Sequence, residues 1–145
     1  MFKLSKKADY GLIAMKHLAM CQDGGLSSSA ADIAECYGIS TPLLAKVMQK
    51  LAKQGLVAAR HGSAGGYTLA RKPAEITALE VINAIDGPVT ITSCNTSHGA
   101  CEQTATCTIR EPLRKVNSSI VEVLSRVTLS QMTEEPASQV VELRV

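Results

Sequence analysis

The chain has little aromatic side chain from which to build a core. Of its 145 residues none is Trp, one is Phe and three are Tyr, although 46% are hydrophobic. That hydrophobic share is ordinary for a globular protein, so the core must consist of Leu, Val, Ile, Ala and Met. Such a composition favours packed helices, and the length suits one domain with an appended element.

Long apolar runs are also missing. No stretch approaches the roughly 18 apolar residues that a membrane span needs, and no apolar run of signal-peptide type follows the opening MFKLSKKADY. We therefore expect a cytoplasmic chain that does not enter a membrane, in a compartment where thiols stay reduced. The odd number of cysteines, five, also fits a complete disulfide framework poorly.

Charge is distributed unevenly along the chain. Residues 1–72 carry ten Lys and Arg against four Asp and Glu, whereas residues 73–145 carry five against nine. The first half is therefore net +6 and the second net −4, which gives the overall +2. A basic half joined to an acidic half indicates a part that binds a polyanion and a part with another task.

Residues 29–54 have the pattern of a helix-turn-helix. Ser29 and Asp32 have the spacing of an N-terminal capping pair that opens a short helix. After a turn of three to four residues, a second helix begins near Pro42 and stops at Gly55. This arrangement lays its second helix in the major groove of DNA.

The next segment, GLVAARHGSAGGYTLARK, predicts a glycine-bearing β-hairpin, or wing, whose backbone can approach phosphates closely. On the second helix, Lys46 and Gln49 have the reach for base edges, while Lys50 and Lys53 are better suited to phosphates. The residues predicted to contact DNA are Ser40, Thr41, Pro42, Ala45, Lys46, Gln49, Lys50, Lys53, Arg60, His61, Gly65 and Gly66.

A further helix with a Thr77-x-x-Glu80 capping box precedes the cysteine-rich stretch. After that stretch, apolar residues recur at alternating gaps of four and three, which is the seam of a coiled coil. They are Ile109, Leu113, Val116, Ile120, Val123 and Val127. This seam predicts a homodimer, which suits a protein that reads two half-sites of an inverted repeat in double-stranded DNA.

These patterns together predict a mainly α fold with a two-stranded β wing, an α+β class. We divide it into a winged helix-turn-helix domain over 1–88 and a cysteine loop over 89–108. A dimerisation helix over 109–130 and a mobile tail over 131–145 follow.

The stretch SCNTSHGACEQTATC holds Cys94, Cys101 and Cys107 beside His98. Gaps of six and five residues match no zinc ribbon, which uses tight Cys-x2-Cys knuckles, whereas iron–sulfur clusters tolerate longer spacing. Spacing alone leaves an iron–sulfur cluster, zinc and redox thiols open. Cys21 and Cys36, in contrast, sit among apolar neighbours in helical patterns and are expected in the core.

Catalysis is the rival class of function. Three thiols with His98 could form a zinc-activated hydrolytic centre, or thiols that react directly with oxidants. The chain nevertheless has no Gly-rich nucleotide loop of recognised form, no paired carboxylates and no Cys-x-x-Cys motif. We therefore predict that it is not an enzyme.

The order of these pieces resembles the family of winged-helix iron–sulfur regulators that includes IscR and NsrR. The resemblance covers residues 1 to about 130 and is carried by KLSKKADYGL, GLVAARHGSAGGY, LEVINAIDGP and the three-cysteine loop before a long helix. It implies a homodimeric transcription regulator, which we predict to be a repressor. It also implies that the loop ligates an iron–sulfur cluster, 2Fe–2S or 4Fe–4S, and that the long helix crosses its dimer mate.

The fourth ligand departs from the IscR pattern. Members of that type carry a histidine three residues after the third cysteine, where this chain has Arg110, and their first cysteine gap is usually one residue shorter. In the NsrR type an aspartate from the other subunit serves instead, and Asp9 occupies the matching position. The resemblance therefore implies Cys94, Cys101 and Cys107 with Asp9 of the partner subunit, and His98 as the rival. Gain or loss of the cluster is expected to change the spacing of the two recognition helices.

Overall fold

The computed structural model describes residues 3–63, 65–92 and 105–134, and within these ranges it is mainly helical with one two-stranded antiparallel sheet. The predicted α+β class is thereby confirmed. The elements are α1 (Lys6–Gln22), α2 (Ala30–Tyr37), α3 (Thr41–Lys53), β1 (Val57–Arg60), β2 (Gly66–Leu69), a 3-10 turn (Pro73–Glu75), α4 (Ala78–Asp86), α5 (Arg110–Arg126) and α6 (Leu129–Thr133). No helix in the described part of the chain is long and apolar enough to cross a membrane.

Side chains at the helix starts fix where α2 and α4 begin. The Ser29 hydroxyl accepts the Asp32 N–H at 3.0 Å, and the Asp32 carboxylate accepts the Ser29 N–H at 3.2 Å. Thr77 and Glu80 form the same reciprocal pair at the start of α4. Both predicted capping boxes are therefore confirmed. Gly38 ends α2 with a φ of 65°, a left-handed conformation that favours glycine.

The core of the described residues is aliphatic, as the composition requires. Its largest fully buried side chains come from α1, α2, α3, α4, α6 and the segment after the 3-10 turn, so these elements close around one centre. They are Met15, Leu18, Ile33, Leu44, Met48, Leu51, Ile76, Ile82, Leu129, Val47 and Val81. α3 supplies four buried side chains from one face, which fixes the orientation of its other face toward solvent.

The wing is a hairpin in which Val57 pairs with Leu69 and Arg60 with Gly66. Ser28, two residues before α2, forms an isolated antiparallel β-bridge with Tyr67 of the hairpin. The Ser28 N–H donates to the Tyr67 carbonyl at 3.1 Å, and the Tyr67 N–H donates to the Ser28 carbonyl at 2.7 Å. The wing is thus hydrogen-bonded to the segment that leads into the helix-turn-helix.

The long helix α5 is shorter than predicted. It ends at Arg126, and Val127 has an extended backbone whose carbonyl accepts the Ala78 N–H at 2.8 Å. The Leu129 N–H then donates to the Ile76 carbonyl at 2.9 Å, and Leu129 is fully buried in α6. The expected helix over 109–130 therefore needs correction, because this backbone pairing to the start of α4 interrupts the seam. Residues 135–145 of the predicted tail lie outside the described residues.

Candidate nucleic-acid interface and cysteine region

The solvent face of α3 carries the residues predicted to contact DNA. At 100° per residue, the buried side chains of Leu44, Val47, Met48 and Leu51 occupy one side of the helix. Lys46 and Gln49 point away from them and are exposed. Ser40, Thr41, Pro42 and Lys53 are also exposed, and Ala45 is half-buried. The helix therefore presents a polar face with two basic residues of the kind that enters a DNA groove.

Lys50 is the exception on α3. It lies at the margin of the buried face, and its ammonium donates to the Ile85 carbonyl at 3.2 Å. That carbonyl is in the last turn of α4, where a cation is favoured by the helix dipole. The structure therefore gives Lys50 a role in joining α3 to α4, whereas its predicted contact with phosphate stays a prediction.

Close backbone contacts explain why glycine stands at positions 65 and 66 of the wing, a constraint that the sequence pattern did not indicate. A Cβ on Gly66 would stand 2.6 Å from the Ser28 carbonyl carbon, and one on Gly65 would stand 2.8 Å from the Gly62 oxygen. These contacts are too short for a side chain, so both glycines let the hairpin fold against its own backbone and against Ser28. Arg60 and His61 are exposed on the wing, where a polyanion could reach them.

A salt bridge ties the end of the wing to α4. The Arg71 guanidinium lies 2.6 Å from the Glu80 carboxylate, with both side chains 39% exposed. Burial raises the pKa of Glu80, but hydrogen bonds from the Thr77 N–H and from Arg71 outweigh it and hold that pKa below its usual value. Arg71 is thereby partly neutralised, which leaves less of its charge for DNA.

α5 differs from every other long helix, because none of its residues is buried. Three apolar side chains at seven-residue spacing form an exposed stripe: Ile109 is 58% exposed, Val116 49% and Val123 62%. We call these three residues the α5 stripe. Apolar side chains in a row on a surface helix indicate a protein interface.

The structure describes two of the five predicted cluster ligands. Cys107 is half-buried in the segment before α5, and Asp9 is half-buried in the first turn of α1. Cys94, His98 and Cys101 lie outside the described residues. Arg110, which replaces the expected histidine, opens α5 and is exposed. Among the described residues no three His, Cys, Asp or Glu side chains converge in a metal-binding group.

The start of the cysteine loop is held by α5. Asn117 accepts the Ile91 N–H at 3.0 Å through its side-chain oxygen and donates its amide N–H to the Val89 carbonyl at 3.3 Å. Sequence reasoning missed this residue, because an asparagine beside a helical seam looks like an ordinary surface residue. These two hydrogen bonds fix the position of the start of the loop relative to α5.

The same end of the domain also holds the start of α1. The Ser5 hydroxyl donates to the Asp86 carboxylate at 2.6 Å and also accepts the Ala8 N–H, so it joins the α1 N-terminus to the α4 C-terminus. A cleft of about 270 Å³ opens here, lined by residues 86–91 with Lys3, Leu4 and Ile82. Asp9 lies one turn into α1 from this point.

The two cysteines expected in the core are not buried. Cys36 is exposed and Cys21 is half-buried. The prediction is wrong for Cys36 because the short helix α2 buries only Ile33 and Ala34, a face too narrow to include position 36. Cys21 instead contacts His17 at the end of α1, a polar neighbour that helical spacing of four could have indicated.

Comparison with known proteins gives consistent matches over most of the chain. A family model described as "Rrf2: Iron-dependent Transcriptional regulator" matches residues 4–135. The HTH-type transcriptional regulator IscR of Aliivibrio salmonicida is 37% identical over 131 residues, which are 90% of this chain and 76% of that protein. Among solved structures, T. potens IscR is 34% identical with a TM-score of 0.72, covering 90% of this chain and 85% of that one. CymR, the global cysteine regulator of B. subtilis, is 29% identical with a TM-score of 0.74, covering 92% and 97%.

Proposed function

The chain belongs to the Rrf2 family of transcriptional regulators, and we propose that it is a homodimeric repressor whose DNA binding is set by an iron–sulfur cluster in its cysteine loop. The observation that carries this proposal is the pairing of two features. A polar recognition face on α3 sits on a closed winged-helix core, and three cysteines follow α4 on one short loop.

The DNA-binding part of the proposal uses the solvent face of α3 and the wing. Two copies joined along the α5 stripe would present two such faces to the half-sites of an inverted repeat. Lys46 and Gln49 contact base edges, and Arg60 and His61 contact the backbone or the minor groove. Because its target is chromosomal DNA, we place the protein in the cytoplasm.

The cluster part rests on the donor set. Thiolates of Cys94, Cys101 and Cys107 that converge on one point repel each other unless positive charge neutralises them, and iron in a cluster supplies that charge. Asp9 of the partner subunit or His98 would complete the set. A carboxylate in place of a fourth thiolate gives a labile corner that suits a sensor of iron, cluster supply, nitric oxide or redox stress.

Asn117 gives the loop a physical connection to the dimer helix. It holds the backbone of Val89 and Ile91 against α5, and Cys107 lies three residues before that helix begins. Both ends of the cysteine loop are therefore attached at α5 or beside it. A change in loop conformation would act on the helix that sets the distance between the two recognition helices.

The cluster is tested by purifying the protein without oxygen and recording its visible absorption, with iron, acid-labile sulfide and zinc assayed on the same sample. We expect a brown or red protein with iron and sulfide, and loss of colour in Cys101→Ser but not in the matched Cys36→Ser. Comparison of Asp9→Ala with His98→Ala then identifies the fourth ligand by the shorter cluster lifetime. A protein that stays colourless after anaerobic reconstitution would overturn the cluster.

A second candidate keeps DNA binding but makes the loop a thiol switch or a zinc site. It is supported by the structural similarity to a regulator described as a global cysteine regulator and by the three loop cysteines themselves. Zinc in the assay, or a colourless protein with oxidant-sensitive loop thiols, would favour this candidate over the cluster.

DNA binding is tested by selecting bound duplexes from a random-sequence pool and measuring their affinity across salt concentrations, for apo and holo protein. Lys46→Met should weaken binding and relax the preference at the base pair it contacts. Lys53→Met should weaken binding to all sequences and reduce the salt slope by about one. The matched Lys16→Met removes the same charge from the exposed surface of α1, which supplies none of the predicted DNA contacts, and should leave affinity nearly unchanged. Equal affinity of the apo and holo forms would contradict cluster control.

A further inference from the structure

A second group of sulfur and nitrogen side chains lies where the ends of α1 and α2 meet, away from the cysteine loop in sequence. The His17 Nε2 is 3.6 Å from the Cys21 Sγ, and its Nδ1 is 2.9 Å from the Tyr37 hydroxyl. The His17 and Tyr37 rings meet edge to face with centroids 5.5 Å apart. A thiol, an imidazole and a phenol therefore form a continuous chain of contacts.

This chain has the arrangement of an activated nucleophile. In the tautomer whose Nδ1–H donates to the Tyr37 oxygen, Nε2 is unprotonated and, at 3.6 Å from the Cys21 Sγ, can accept the thiol proton. A nucleophile within reach of a base, with the base oriented by a third group, is the general pattern of thiol and hydroxyl activation. Cys21 is only half-buried, so a small reagent can reach the sulfur.

Ser28 connects this group to the DNA-binding surface. Its hydroxyl lies 3.3 Å from the His17 Nε2 and 4.0 Å from the Cys21 Sγ, and the residue is only 8% exposed. Its backbone makes the two hydrogen bonds to Tyr67 of the wing. Tyr37 in turn is the last residue of α2, directly before the turn that leads to α3.

The second thiol nearby gives an internal reference. Cys36 is exposed and adjacent in sequence to Tyr37, but no contact with an imidazole is found for it in the described structure. Burial raises the pKa of Tyr37, and the neighbouring Cys36 and Cys21 raise it further, so the phenol stays protonated. Cys21 thus has a base and Cys36 does not, which allows the two to be compared within one molecule.

We propose that Cys21 is a redox-sensing thiol that hydroperoxides oxidise to a sulfenic acid, with His17 as the base and Tyr37 as its positioning residue. The sulfur attacks one oxygen of the O–O bond, so an S–O bond forms as the O–O bond breaks. The thiol gives up two electrons, its proton passes through His17 Nε2 to the departing oxygen, and an alcohol or water leaves. This site goes beyond the loop and does not depend on a cluster.

Oxidation here has a direct structural consequence. The added oxygen enters the space that Cys21 shares with His17 and Ser28, so the Ser28 hydroxyl must move or change partner. Since the Ser28 backbone pairs with Tyr67, we expect the wing to separate from the segment before α2. Oxidation of Cys21 would then weaken DNA binding, because it changes the position of the wing.

The test uses the full chain with Cys94, Cys101 and Cys107 replaced by Ser, which leaves Cys21 and Cys36 as its cysteines and removes any cluster. After a pulse of hydrogen peroxide, sulfenic acid is trapped with a dimedone probe and located by peptide mass spectrometry. Cys21 should label faster than Cys36. His17→Gln should slow labelling of Cys21 by about 100-fold, the lower end of what a positioned base contributes, and leave Cys36 unchanged.

Lys16→Gln is the matched control, since it removes a neighbouring side chain on α1 without touching the thiol, and it should leave both rates unchanged. Mapping on the wild-type chain repeats the comparison if the triple variant does not fold. Amide exchange at Tyr67 should accelerate on oxidation, and Cys21→Ser should abolish that change. Equal labelling of Cys21 and Cys36, a rate independent of His17, or unchanged exchange at Tyr67 would overturn the proposal.

Discussion

The winged-helix domain and α5 differ in how much apolar side-chain surface they bury. Among the described residues, each of the other five α-helices contributes at least one buried side chain, and α6 contributes Leu129 although it is only five residues long. α5 has 17 residues and buries none of them, while its stripe stays about half exposed.

This difference separates a part of the chain that buries its own apolar surface from a helix whose apolar surface is left exposed. Burial of apolar surface is the main favourable term in folding, so the winged-helix domain has its own source of stability. α5 packs on α4 with side chains that are only half-buried, and within the described residues nothing covers its stripe. The start of the cysteine loop is hydrogen-bonded to this helix through Asn117.

Leu129→Ala should have the largest effect, because it truncates a fully buried side chain. It tests whether α6 belongs to the core of the winged-helix domain. Leu129 is fully buried beside α1, so its truncation should lower the free energy of unfolding by about 2–5 kcal/mol. The measurement is urea unfolding followed by circular dichroism. Leu26→Ala makes the same chemical change at a side chain that is 64% exposed and should cost less than about 0.5 kcal/mol. Equal losses in the two variants would mean that α6 is not part of the buried core.

Charging the α5 stripe should have the next largest effect, on assembly and not on the fold. Val116→Glu with Val123→Glu places carboxylates in the predicted seam and should raise the dimer dissociation constant at least about 100-fold. Sedimentation velocity measures this, and circular dichroism should show the helices retained. Because the proposed dimer binds two half-sites at once, operator affinity should fall when the dimer dissociates.

The control for the stripe lies on the opposite side of the same helix. Ser118 and Ser125 stand about 200° from Val116 and Val123, and their hydroxyls bond only to carbonyls of their own helix. Ser118→Glu with Ser125→Glu adds the same charge and should leave the dimer intact. If both pairs dissociate the dimer equally, the stripe is not the interface.

Asn117→Ala should have a smaller effect, confined to the junction between the two regions. It leaves the Ile91 N–H and the Val89 carbonyl without their side-chain partner, which costs about 1–2 kcal/mol at a half-buried site. Amide exchange at Ile91 should accelerate while exchange in the core of α3 stays slow. Asn117→Asp keeps the acceptor for Ile91 and should lose less protection there. Uniform acceleration across the domain would mean that α5 is part of the core.

Much of this could be predicted from the sequence, where the signal is local. The two residues of each capping pair, Ser29 with Asp32 and Thr77 with Glu80, are only three positions apart. Helical spacing likewise identified the polar face of α3. The resemblance to IscR-type regulators and the prediction of a regulator that is not an enzyme are confirmed by the family match.

What the sequence could not predict depends on contacts between distant residues. Asn117 reaches back 26 and 28 residues to Ile91 and Val89, and Lys50 reaches 35 residues to Ile85. The break at Val127 follows from pairing with Ala78, which the regular spacing of the seam concealed. The loop positions 94, 98 and 101 stay predictions, as do the ligand roles of Asp9 and Cys107.

The smallest expected effects concern two carboxylates, Glu80 in the winged-helix domain and Glu111 on α5, each of which pairs with an arginine. The pKa of Glu80 is lowered because hydrogen bonds from the Thr77 N–H and Arg71 outweigh its burial. A carboxylate with a lowered pKa stabilises the fold above its unfolded value near 4.3 and loses that contribution as pH falls through its folded value. Glu80→Gln keeps the capping geometry and should cost about 0.5 kcal/mol at neutral pH, with the difference from wild type vanishing in acid. A hydrogen bond from Arg114 also lowers the pKa of Glu111, but this pair lies on the exposed surface of α5, so Glu111→Gln should show a smaller difference of the same sign. Thermal melts from about pH 3 to pH 7, which bracket the carboxylate pKa, measure both.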